Sequence, residues 1–182
     1  MPSANNVSVG KPKIGGQIFR APFGTALPTS AEAQLNEAFK ALGYCSDAGV
    51  VNSNTADTTD IKAWGGDVVL TVQTGKADTW KFTLIEALNV EVLKAAYGDE
   101  NVTGTLETGI TVNANSKEQA VCSWVIDMVL NGDIAKRVVI PQGKVVSVGD
   151  ITYKDDTVIG YETTVSATPD ANENSHYEYL KG

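Results

Sequence analysis

Between residues 61 and 98 the chain reads IKAWGGDVVLTVQTGKADTWKFTLIEALNVEVLKAAYG, and this stretch restricts the fold more than any other. Val68, Leu70 and Val72 are separated by single residues, as are Trp80, Phe82 and Leu84. A period of two puts such residues on one face of a half-buried strand. Gly75-Lys76-Ala77-Asp78 lies between the two runs and is expected to form a short hairpin loop. The period then changes. Asn89 is a suitable N-cap, Val90, Leu93 and Tyr97 form one stripe with Val92 and Ala96 beside it, and Gly98 ends the pattern. A strand–turn–strand–helix unit follows, with the helix near 89–97 packed on the hairpin.

The same reasoning extends along the chain. Thr29-Ser30-Ala31-Glu32 resembles a capping box, and Leu35, Phe39 and Leu42 follow at helical spacing before Gly43, which predicts a short helix. Residues 46–60 are Ser, Asn, Thr, Asp and Gly around Val50-Val51, a long loop or an exposed hairpin. Cys122, Trp124, Ile126, Met128 and Leu130 share one face of a strand that runs into Asn131-Gly132, a type I′ turn pair. Residues 134–140 return, Pro141-Gln142-Gly143 turns again into 144–148, and Asp155-Asp156 marks a turn before 158–167. Many strands, short turns and one clear helix predict a mainly β (α+β) single domain. Its expected form is an antiparallel β-sandwich or barrel with one flanking α-helix. Residues 1–28 are expected as an extended N-terminal arm, 29–168 as the core, and 169–182 as a mobile C-terminal tail.

The reactive side chains are few. His176 is the single histidine and falls in the polar tail, whereas a catalytic base has to be held against its nucleophile. Neither a Gly-x-Ser-x-Gly elbow nor a phosphate-binding glycine loop occurs. Cys45 and Cys122 are far apart, match no metal spacing, and are expected to be reduced thiols. Asp57 with Asp60 and Asp155 with Asp156 read as turn formers rather than paired acids. Trp80 and Trp124 sit in apolar strand patterns and are expected in the core, while Trp64 beside Gly65-Gly66 is unplaced. The expectation is no catalytic residue, no cofactor and no metal. No apolar run reaches the length of a membrane span, and no signal peptide or membrane partner is expected.

Charge adds a constraint on partners. Residues 1–31 contain Lys11, Lys13 and Arg20 without an acid, so the net −8 of the chain leaves −11 on the remainder. An acidic body is a poor match for phosphates and would repel passing DNA. A basic arm, by contrast, could lie across an acidic neighbour.

Three segments carry a family resemblance. They are 20–43, with APFGTALPT and FKALGY; AWGGDVV at 63–69 running on to FTLIEALNVEVLKAAYG; and IPQGKVVSVGDITYKDDTVIGYETTVSATPD at 140–170. Together, and in this order, they resemble the major tail tube proteins of long-tailed, non-contractile bacteriophages. The resemblance implies a β-sandwich or barrel with a flanking helix. It further implies hexameric rings stacked into a tail tube, through which double-stranded DNA leaves the capsid without specific binding. The implied partners are further copies of the chain, the tape measure protein, and tail terminator and distal tail proteins. The implied location is the virion tail, with assembly in the host cytoplasm. Some relatives carry a further C-terminal immunoglobulin-like domain, which is not expected here.

Long loops and arms bridge subunits in such tubes. The candidate inter-subunit residues are therefore Lys11, Lys13 and Arg20 on the arm, and Asn52, Asn54, Asp57 and Asp60 on the 46–60 stretch. Deleting 52–58 is expected to leave a folded chain that no longer polymerises. Two alternatives stand beside this reading: a monomeric β-sandwich module that binds carbohydrate or a cell surface through Trp64, and a tube subunit of a contractile or secretion machine.

Overall fold

The computed structural model of the chain describes residues 2–13 and 17–182. Eleven strands are present among them: β1 (Lys11–Pro12), β2 (Ile18–Pro22), β3 (Lys40–Ala41), β4 (Cys45–Lys62), β5 (Val68–Leu84), β6 (Val102–Thr105), β7 (Gly109–Val112), β8 (Cys122–Val129), β9 (Ala135–Val148), β10 (Tyr161–Ala167) and β11 (Tyr177–Lys181). One α-helix, α1 (Val90–Tyr97), follows β5. The strands pair antiparallel in the order β3-β2-β8-β9-β10-β5-β4, with β1 beside β8 and β11 beside β9, and β6-β7 form a separate hairpin. The architecture is mainly β and sandwich-like with a flanking helix, not a closed barrel.

The long strand β9 makes the sandwich. One edge pairs with β8 from Ala135 to Gly143. On the other edge its first half pairs with β11 and its last residues, from Gly143, pair with β10. The sheet thereby divides at β9 and folds over a shared core. Trp124 and Ile126 on β8 meet Trp80, Phe82 and Leu84 on β5 and Val165 on β10, and α1 adds Val92, Leu93, Ala95 and Ala96. The Phe82 and Trp124 rings lie 5.9 Å apart. Each large side chain buried here contributes about 1.5–3 kcal/mol over its exposed state. β8 is buried on both faces. Its outer face carries Val125, which packs with Ala21, Phe39 and Val139 under Leu27, Leu35 and Tyr177.

Helix α1 forms where the sequence places it. Asn89 Oδ1 accepts from the Glu91 amide at 3.0 Å, and the Gly98 amide donates to the Lys94 carbonyl at 2.8 Å. Four other expectations are corrected. The helix expected over 30–43 is absent. Ser30 Oγ does accept from the Ala33 amide at 3.1 Å, but the Ser30 and Ala33 carbonyls, acceptors in a helix, are held by Arg137. Leu35 and Phe39 cover the outer face of the sheet from an irregular segment instead.

Gly75-Lys76-Ala77-Asp78 is not a turn but the middle of β5, paired across to Asp57, Ala56, Thr55 and Asn54. The turn lies at residues 63–67, where Gly65 and Gly66 take φ of 119° and 101° that other residues avoid. Pro141-Gln142-Gly143 does not break β9. Pro141, which has no amide proton to give, sits at a register irregularity opposite β8, where that loss is tolerated. At Asn131-Gly132 the positive φ values fall one residue later, on Gly132 and Asp133.

Both chain ends differ from extended arms. Of residues 1–28, β2 is inserted between β3 and β8, and β1 pairs with Met128 and Val129. Met1, Ile14, Gly15 and Gly16 of that segment lie outside the described residues. Within 169–182, β11 pairs with β9 from Ala135 to Val139.

Candidate assembly interface

The stretch 46–60 forms a strand, and its partner is the first half of β5. β10 covers β5 only from Asp78 to Leu84. Residues 68–77 therefore pair with β4 alone, and the two strands leave the body as a ribbon. At 3.3 Å per residue those positions project about 30 Å. Both faces of the ribbon are open: Ile61, Val68, Val69 and Leu70 are about half exposed or more, and Trp64 at the tip is fully exposed. The tip is nonetheless ordered by local bonds. The Ala63 amide donates to the Asp67 carbonyl at 2.8 Å, and the Gly66 amide to the Ala63 carbonyl at 3.0 Å. An isolated two-stranded ribbon is marginally stable in water, so one that exposes this much apolar surface calls for a partner.

The expected contact residues fall into three settings. Asn54, Asp57 and Asp60 lie on the exposed ribbon, with Asp60 Oδ1 accepting from Thr71 Oγ1 at 2.7 Å. Asn52 sits at the ribbon root, where its amide donates to Asp78 Oδ1 at 2.7 Å and to the Thr79 carbonyl at 3.1 Å. Lys11 is exposed on β1, and Lys13 Nζ lies 3.9 Å from Asp127. Arg20 is buried. Its guanidinium is paired with Asp99 and donates to the Lys94 carbonyl, tying β2 to the end of α1. Trp64, unplaced by its local pattern, stands at the tip, and Val68 and Leu70, expected on a half-buried face, are exposed on the ribbon. The signal was present in Val68-Val69-Leu70, an unbroken apolar run that suits no single buried face.

The ribbon root is fixed from the C-terminal side. His176 Nδ1 lies 2.5 Å from Asp78 Oδ2, and its ring meets Trp80 edge-on with centroids 5.1 Å apart. Asp78 is buried and also holds Asn52, so a single carboxylate joins β4, β5 and the segment before β11. His176 thus has a packing and hydrogen-bonding role at the root.

A second apolar surface lies at the other end of β5. Ile85, Ala87, Leu88, Val158 and Ile159, with Glu86 and Asn89, line an open groove of about 540 Å³. Leu88 and Val158 there are 68% and 64% exposed. The Glu86 carboxylate is held inward, accepting from the Tyr44 amide at 3.0 Å and from Asn89 Nδ2 at 2.9 Å.

Reactive groups are muted. Burial pushes the Cys45 thiol up to about 11 and raises that of Cys122 as well, so both are poor nucleophiles near neutral pH. Both cysteines are free. Among the described residues, no cluster of His, Cys, Asp and Glu could hold a metal ion. Nor is any helix among them long and apolar enough to cross a membrane.

Comparison with known proteins gives a family. The model for "Phage tail tube protein" matches residues 2–181. No curated protein matches the sequence. Among solved structures, the chain is similar to one described as the cryo-EM structure of the anti-feeding prophage cap (AFP tube terminating cap). The identity is 7%, the TM-score 0.45, and 98% of each chain is covered. With the family model spanning nearly its whole length, over a β-sandwich that projects an unpartnered ribbon, this chain belongs to the phage tail tube protein family and is a structural component of a phage tail.

Proposed function

We propose that the chain self-assembles into hexameric rings that stack into the tail tube conducting DNA during ejection. The observation that carries this reading is the ribbon beyond Asp78, which a monomer has no use for and a neighbouring copy can cover. Asn54, Asp57 and Asp60 on the ribbon, with Lys11 and Lys13 on the body, are the assigned inter-subunit contacts. Asn52 and Arg20 act inside the subunit, where they set the ribbon root and the β2–α1 junction. The acidic balance of the chain suits a bore through which DNA slides without sticking. Tape measure, terminator and distal tail proteins are the expected partners at the tube's inside and ends. The role involves no reaction step and no cofactor.

Electron microscopy of the purified chain, dilute and then concentrated, tests the proposal. Hollow rings or tubes are the expected result. The informative variant replaces 56–76 with Asn-Gly, which keeps the Thr55–Ala77 pair and the root contacts of Asn52 and Asp78. That variant should fold and remain unassembled, and tubes of normal length from it would remove the ribbon from the mechanism. The exposed Trp64 also favours a second reading, a carbohydrate-binding monomer. Quenching of its fluorescence by sugars, with no assembly at any concentration, would select that reading.

A further inference from the structure

We propose that Trp64 at the ribbon tip of one copy seats in the groove formed by Ile85, Leu88, Val158 and Ile159 of the next copy, making a head-to-tail contact between stacked subunits. The inference rests on the tube reading and names the pair of surfaces that would join successive subunits.

Two observations lead to it. The knob and the groove lie at opposite ends of one strand. The tip precedes Val68, the first residue of β5, and the groove begins at Ile85, directly after Leu84, its last. Val158 and Ile159 lie just before β10, which starts with Tyr161 opposite Leu84. Two different patches placed at opposite ends of a subunit form a heterologous contact, which repeats as a stack where the rotation between copies closes no ring. The surfaces also match in kind. Trp64 is a fully exposed indole on an ordered turn, and the groove is apolar, with its one carboxylate turned inward onto Tyr44 and Asn89. A second copy of this chain therefore supplies an occupant of matching polarity for the groove.

Fluorescence makes the contact measurable, because Trp80 and Trp124 are buried and Trp64 is the exposed tryptophan. The full-length chain is compared dilute and assembled, together with Trp64→Ala, Leu88→Asp and their equimolar mixture. The substituted side chains are exposed, so both variants should fold, which circular dichroism and melting check. In the wild type, assembly should shield Trp64 from acrylamide and shift its emission to the blue. Each single variant should need at least about 30-fold more protein to form tubes, as expected on losing an aromatic anchor. In the mixture some contacts pair an intact knob with an intact groove, so it should assemble at lower protein concentration than either single variant.

Wild-type tubes in which Trp64 stays as quenchable as in the dilute subunit would overturn the inference and leave the tube reading standing. Normal tubes from Trp64→Ala would do the same. A wild type that forms neither rings nor tubes would overturn both.

Discussion

Asp127 and Arg137 face each other across β8 and β9 and are only 5% and 3% exposed. Arg137 Nε and Nη2 donate to the two carboxylate oxygens at 2.6 and 2.7 Å, and Nη1 donates to the Ala33 carbonyl at 2.6 Å. A pair of this kind matters most when one member is lost, because the other stays charged, buried and unpartnered. Asp127→Ala should therefore destabilise the fold by about 3–5 kcal/mol. Asp127→Ala combined with Arg137→Met should recover much of that loss, since it removes the stranded charge. Thermal or urea unfolding of the two variants checks this, and equal destabilisation would count against the stranded-charge account. The sequence hid this contact for a simple reason. Asp127 falls on the strand face that also carries Val125, and the alternation alone cannot say that this face is buried as deeply as the one carrying Trp124. Trp80, Trp124 and the cap residue Asn89 were legible, because a local pattern or a single backbone bond decides each of them.

At the scale of elements, what could be read depended on where the deciding interaction lay. Helix α1 is bounded by bonds within a few residues, and sequence finds it. The expected helix over 30–43 had a capping signal too, yet its carbonyls answer to Arg137, about a hundred positions away. The hairpin turn was assigned to the wrong site because Gly75 stands between two good strands. The real turn has two glycines at positive φ, and 46–60, without apolar alternation, supplies the partner strand. A ribbon of this kind follows rules that core strands do not, since its side chains wait for another molecule. This has a consequence for backbone protection. In the isolated subunit the amides of 68–77 should exchange with solvent far faster than those of 79–84, which β10 and β4 hold on both edges. In the assembled tube the same amides should become slow. Hydrogen exchange followed by mass spectrometry reads both, and slow exchange in the dilute monomer would mean that the ribbon is stable without a neighbour.

Across the whole molecule, the two ends of the chain close the sandwich over a middle that points outward. β2 enters between β3 and β8, and β11 covers the first half of β9, with Tyr177 and Tyr179 packed on the outer cluster. The C-terminal segment has a second task, because His176 grips Asp78 at the ribbon root and covers Trp80. Removing residues 169–182 should therefore do two things. It bares the β9 edge from Ala135 to Val139, which is a template for unwanted strand pairing. It also frees the root that aims the ribbon. The truncated chain should melt roughly 10 °C lower, the shift expected for about 3–5 kcal/mol in a domain of this size, and should form amorphous aggregates in place of tubes. His176→Gln separates the two effects. It keeps β11 and the outer cluster, so melting should change little, while the hydrogen bond that fixes the ribbon root is weakened and the yield of tubes falls. A truncated chain that melts normally and stays monodisperse would mean that the last strand is an accessory. A His176→Gln variant that assembles as well as the wild type would mean that the β4–β5 pairing alone sets the direction of the ribbon.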